Sequence, residues 1–107
     1  MQQGTLEPDV VDPTPSLMPT YVIWLLNDDV HSMQYVFSVV KSVMKYKDEK
    51  VLKLVIQAHE EDQAPIWHGP LEVGELKRDQ LLAGLPEFKA SGEKVDIPLR
   101  VRLEPMP

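Results

Sequence analysis

Asn27, Asp28, Asp29 and His31 stand together where an apolar run gives way to an amphipathic one, in "LLNDDVHSMQYVFSVV" from Leu25 to Val40, and a second imidazole, His59, follows later. An amide, carboxylates and imidazoles support two chemistries. The first is metal-assisted hydrolysis, for which Asp28, Asp29, His31, His59 and His68 are the available donors. No helical H-E-x-x-H or comparable ligand spacing is present, and no nucleophile stands beside a base. The expectation is therefore no enzyme, no catalytic residue, no metal and no cofactor.

The second chemistry is recognition of an ammonium group. A peptide's free N-terminus offers three donors that a carboxylate and a neutral imidazole nitrogen can accept. An Asn amide can both accept from the ligand and donate to its first carbonyl. Asn27, Asp29 and His59 would do this if the helices pack their apolar faces on the first strand, and the apolar surface nearby would take the first side chain. The residues alone leave a plainer reading open, because Asn-Asp pairs are common in turns and caps and a helix-end His is often a packing residue.

The elements that must position these groups follow from patterning. "YVIWLL" from Tyr21 carries β-branched and aromatic residues on both faces, as a central strand covered on both sides would. Met33, Val36, Phe37, Val40, Val43 and Met44 then recur at helical spacing, with Ser32 as cap and Asp28 and Asp29 near the positive end. A second helix is predicted from Asp48 as its cap, with Val51, Leu52, Val55, Ile56, Ala58 and His59 facing inward. "APIWH" reads as a short strand, and Pro70 fits the first position of a third helix running to about Gly84, striped by Leu71, Leu76, Leu81 and Leu82. Residues 85–96 read as loop. "IPLRVRLE" alternates strictly, with Ile97, Leu99, Val101 and Leu103 on one face. The expected fold is a small α+β domain, strand-helix-helix-strand-helix-strand, with a three-stranded antiparallel sheet and helices on one face.

A chain of 107 residues with 43% apolar content suits one domain. Residues 1–19, with Pro8, Pro13, Pro15 and Pro19 among acidic and small residues, read as a flexible acidic tail before a core of residues 20–107. The formal charge of -6 repels phosphate backbones, so nucleic acid is not an expected partner. Cysteine is absent, which suits a reducing compartment, and no apolar run approaches a membrane span or a signal peptide. A cytoplasmic, membrane-free monomer is the expectation.

The stretch from Tyr21 to Lys77 resembles the ClpS family of adaptors, which bind N-terminal degradation signals and deliver them to an AAA+ unfoldase of the Clp protease. The carrying elements are "LNDD" followed by Met33 and a helix, the His closing helix two, the E-x-x-x-x-K of "EVGELK", and "IPLRVRLE" as the closing strand. The resemblance implies that Asn27, Asp29 and His59, with Asp28 beside them, bind the α-amino group and first peptide unit. It implies a first side-chain pocket at Leu25, His31, Met33, Val55, Ala58 and Leu99. It also implies a docking surface for the unfoldase's N-terminal domain at Glu72 and Lys77.

Three pocket positions depart from the family's pattern. His31-Ser32 stands where Thr-Pro is usual, Val55 where Met is usual, and Ala58 where Val is usual. Two of these changes remove wall volume and one adds a larger, titratable ring at the pocket mouth. Burying one large apolar side chain contributes roughly 1.5 to 3 kcal/mol, and each charge-assisted hydrogen bond to the ammonium a similar amount, roughly 1.5 to 3 kcal/mol. Micromolar affinity, about -8 kcal/mol, is the expectation for an N-terminus bearing a large hydrophobic first residue. The departures keep an alternative in view, an interaction domain of this kind that regulates the unfoldase without binding N-termini.

Overall fold

The computed structural model describes residues 19–107. Strand β1 (Tyr21–Leu26) lies between β2 (Gln63–Gly69) and β3 (Val101–Pro105) and pairs antiparallel with both, giving the order β2-β1-β3. Ile23 sits opposite Trp67 and Leu103, and Leu25 opposite Ala64 and Val101, so these side chains share one face. The register of β2 slips between Ile23 and Trp24, leaving Ile66 as an extra, buried residue. Pro65, which has no N–H to give a ladder, is tolerated beside that bulge on an edge strand.

Helices α1 (Met33–Met44), α2 (Asp48–Glu61) and α3 (Leu71–Ala83) build the core with the Ile23 and Leu25 face. That core includes Tyr35, Val39, Val40, Val51, Val55, Ile66 and Leu81, while Val22 is buried on the opposite side of β1, outside it. The Tyr46 hydroxyl donates to the Ile66 carbonyl at 2.8 Å and ties the α1–α2 connection to β2.

Ser32 caps α1 as expected, its Oγ accepting from the Tyr35 N–H at 3.1 Å. The buried stripe of α1 is turned from the expected one: Tyr35 and Val39 are buried with Val36, Val40 and Met44, Met33 is exposed, and Phe37 and Val43 are only partly covered. A hydroxyl made Tyr35 look like a surface residue, yet its OH accepts from the Leu85 N–H at 3.1 Å, so the whole ring can be buried. In α2 only Val51, Val55 and Ala58 are buried; Leu52, Ile56 and His59, expected inward, are exposed. Lys47 occupies the cap position and Asp48 is the first helical residue.

Helix α3 keeps Leu81 buried but exposes Leu71, Leu76 and Leu82. Its second core position is Gly74, which carries no apolar side chain for a hydrophobic pattern to register. The Gly74 backbone lies under the Trp67 ring and Leu103, so the helix reaches the sheet by close approach instead of by a leucine stripe. The predicted loop contains a short 3-10 helix, Pro86–Ser91, and β3 begins later than its alternation suggests, with Leu99 buried and Ile97 exposed. All but one residue of the expected acidic tail lies outside the described residues. Among the described residues no helix is long and apolar enough to cross a membrane.

Replacing a mid-helix glycine by alanine ordinarily stabilises by up to ~1 kcal/mol. At Gly74 an added Cβ would stand 2.9 Å from Trp67 Cζ3 and 3.0 Å from Leu103 Cδ1. Gly74→Ala is therefore expected to destabilise the domain, by about 1–3 kcal/mol, in urea unfolding followed by circular dichroism. A gain in stability would contradict this packing.

Candidate functional site

β1 ends at Leu26 and α1 begins at Met33, and the intervening turn is built by Asp28. Asp28 Oδ1 accepts from the backbone N–H of Val30 at 2.7 Å and of His31 at 3.0 Å, and Oδ2 accepts from His31 Nδ1 at 2.6 Å. The carboxylate expected beside an incoming ammonium is thus engaged within the chain. Asn27 is half-buried and held through its backbone: its N–H donates to the Asp62 carbonyl at 2.9 Å and its carbonyl accepts from Arg100 Nη1 at 2.8 Å. The Asn27 Oδ1 accepts from the Asp28 N–H at 2.9 Å. Asp29 and His59 are both exposed.

Between the end of β1, the turn, α1 and the second half of α2 lies a cleft. Its polar lining is Asn27, Asp28, His31 and His59, and its apolar lining is Leu25, Leu26, Met33, Val36, Val55 and Ala58. The structure therefore gathers most of the residues expected at the site from β1, the turn, α1 and α2. Leu99, expected in the pocket wall, is buried in the core and does not line the cleft; Asp29 stands outside the lining as well. Leu26 and Val36 line it although neither was expected to. The free volume is about 20 Å³, room for roughly one water molecule.

His31 is the main departure from the expectation of a ring at the pocket mouth. Its side chain has no solvent exposure. Nε2 donates to the carbonyls of Lys94, at 3.0 Å, and Ile97, at 2.7 Å, while the ring stacks on Tyr35 with centroids 5.2 Å apart. Carbonyls and an ionised carboxylate only accept, so this set of partners favours the ring protonated on both nitrogens, the imidazolium. Glu93 adds a carboxylate bonded to the Ser32 hydroxyl, and Phe88 packs edge-on against Tyr35. The loop of residues 85–96, for which the sequence suggests no role, is thereby fastened together with Ile97 to the turn after β1. Gly84, with φ of 67°, makes the entry to this segment, and its missing Cβ leaves room for the Tyr35 hydroxyl. No spacing rule could have shown this arrangement, because two of the partners of His31 are backbone carbonyls more than sixty residues away.

The expected docking pair separates on α3. Glu72 is exposed in the first turn, in a groove shared with Pro19, Tyr21, Pro70, Leu71 and Val73. Lys77 lies about 140° further round the helix, half-buried, with Nζ 3.5 Å from the Val43 carbonyl. Among the described residues no three His, Asp or Glu side chains come together as metal ligands.

A family model described as "ATP-dependent Clp protease adaptor protein ClpS" matches residues 16–89. The ATP-dependent Clp protease adapter protein ClpS of Thermosynechococcus vestitus is 39% identical over 69 residues, covering 63% of this chain and 73% of that protein. Its counterpart in Nostoc sp. is 38% identical over 64 residues, covering 59% and 66%. The structure of Agrobacterium tumefaciens ClpS2 bound to L-phenylalaninamide superposes with a TM-score of 0.65 at 24% identity, covering 82% of this chain and 98% of that one, a likeness of fold. The chain belongs to the ClpS family of Clp protease adaptors, proteins that assist a protease and are not themselves enzymes.

The buried pair makes stability depend on pH in a definite direction. Burial pushes the His31 imidazole down, but its hydrogen bond to Asp28, the Asp28 charge and the two carbonyls outweigh burial and hold it above the ordinary 6.5. Burial likewise pushes Asp28 up, and its bonds to His31 and to the two backbone N–H groups more than offset this, leaving it below 3.8. The His31 contribution is complete below pH 6.5 and is lost as pH rises through the raised folded value. The Asp28 contribution is present above pH 3.8 and lost as pH falls through the lowered one. Urea unfolding should therefore show falling stability as the pH is raised from 6 towards 9. His31→Ala should remove that slope and cost about 3–5 kcal/mol at pH 6, since it leaves Asp28 buried without its partner. An unchanged slope in the variant would overturn the assignment.

Proposed function

We propose that this protein binds the free N-terminus of peptides or proteins bearing a hydrophobic first residue, an N-degron, and delivers them to the AAA+ unfoldase of a Clp protease. The observation that carries this reading is the cleft itself: an amide, Asn27, and an imidazole, His59, at the edge of a wall made by Leu25, Met33, Val36, Val55 and Ala58. Asp29 follows in the same turn, its carboxylate exposed to solvent. With Asp28 committed to His31, Asp29 is the carboxylate left to meet an ammonium. In this reading Asp29 and His59 accept from the α-amine, and Asn27 holds the first peptide unit through its side-chain amide. The solved neighbour from Agrobacterium tumefaciens is bound to L-phenylalaninamide, a ligand with a free α-amine and an apolar side chain.

Hand-over requires a surface for the unfoldase, and Glu72 with Lys77 on α3 is assigned that role, docking on the unfoldase's N-terminal domain. The exposed apolar residues Leu71, Val73 and Leu76 lie on the same helix and would be covered by such a contact. The segment before Pro19 would serve as the extension used during transfer.

The narrowness of the cleft favours a second reading, an adaptor-like domain that regulates its unfoldase without holding N-termini. Two paired measurements separate the readings. In fluorescence anisotropy a Leu-starting peptide should bind in the micromolar range, and its acetylated twin, which leaves Asp29 and His59 unpaired, should bind at least about a hundredfold more weakly. Asp29→Asn should cost about tenfold in the same assay, equivalent to ~1.4 kcal/mol. Equal binding of free and acetylated peptides would favour the regulatory domain.

A further inference from the structure

Taking N-terminus binding as its basis, we propose that His31 sets the depth of the first-residue pocket, so that it takes an aliphatic side chain no larger than Leu and turns Phe, Tyr and Trp away. The His31 ring is firmly held. Four contacts fix it: the Asp28 carboxylate at 2.6 Å, the Lys94 and Ile97 carbonyls at 3.0 and 2.7 Å, and the Tyr35 ring stacked on it. Both nitrogens donate to acceptors supplied by the chain, so swinging the ring aside would strand a buried carboxylate and two carbonyls at once. A small hydroxyl residue at this position would have left that space to a ligand, whereas a pinned imidazolium does not.

The remaining wall offers little compensation. Leu25, Val36, Val55 and Ala58 are each 1–6% exposed and sit on the strand and helices of the core. Met33, 42% exposed and unbranched, is the apolar wall residue free to move. Its displacement opens the cleft from the outside, enough for an aliphatic side chain laid against Val55 and Ala58. A planar ring would have to reach inward, where His31 stands.

Polarity acts in the same direction. Both Asp28 oxygens are already accepting, and both His31 nitrogens already donate. A Tyr hydroxyl or Trp N–H arriving beside them would find no donor or acceptor on His31 and at most the one site left on Asp28 Oδ2, in exchange for its bond to water.

The test uses the full chain and dye-labelled peptides that differ only at the first residue, Leu, Phe, Tyr or Trp, with acetylated Leu as control, read by fluorescence anisotropy. The wild-type protein should bind Leu at least about tenfold tighter than any of the three aromatic residues. His31→Thr should raise affinity for Phe by about tenfold while leaving Leu within about threefold, and His31→Gln, which keeps the bulk but not the charge, should keep the wild-type order. Wild-type binding of Phe equal to or tighter than Leu would overturn the proposal, and that ratio decides even if His31→Thr fails to fold. A folded His31→Thr with an unchanged Leu-to-Phe ratio would overturn the role of His31, as would a His31→Gln that behaves like His31→Thr. Indifference to acetylation would instead bring down the N-terminus reading beneath it.

Discussion

A buried ion pair organises the functional end of this molecule. Asp28 and His31 meet with their side chains 5% and 0% exposed, and neither could remain charged there without the other. Their cost is offset because every polar atom is used. The carboxylate also closes the turn after β1, and the imidazolium donates onward to two carbonyls of the segment leading into β3. One pair therefore joins the exit of the central strand, the start of α1 and a segment far away in sequence. The shape of the cleft and the free position of Asp29 both follow from that junction.

The sheet supplies the rigid side of the same arrangement. β1 is bonded on both edges, so the turn at its end inherits a fixed position, and α2 is held to the sheet through the core around Val51, Val55 and Ala58. On the other side Gly74 lets α3 approach Trp67 and Leu103 directly. The cleft thus lies between elements with little freedom to spread, which is why its contents are decided by the few side chains that line it.

The division of labour among the acidic residues is a consequence. Asp28 and Asp29 are neighbours of one residue type, and only the family resemblance tells them apart in the sequence. In the fold one is consumed by the turn and His31 while the next points into solvent. The same separation overtakes the helix stripes: Tyr35 is buried because Leu85 gives its hydroxyl a partner, whereas Leu52, Ile56 and Leu76, more apolar by type, remain outside. Apolar character predicts burial only where a neighbouring element exists to cover the residue.

Element order, the central position of β1 and the Ser32 cap were legible from the sequence, because alternation, helical spacing and capping chemistry act between residues close together in the chain. The family resemblance, carried by "LNDD", Met33, His59 and "EVGELK", was legible there too. Only the tertiary structure decided that His31 is buried instead of standing at the pocket mouth, that residues 85–97 are fastened to it, and that Leu99 belongs to the core and not to the cleft. The reason is physical: each of these outcomes depends on which backbone carbonyl or side chain arrives from a distant segment, and local pattern carries no information about that arrival.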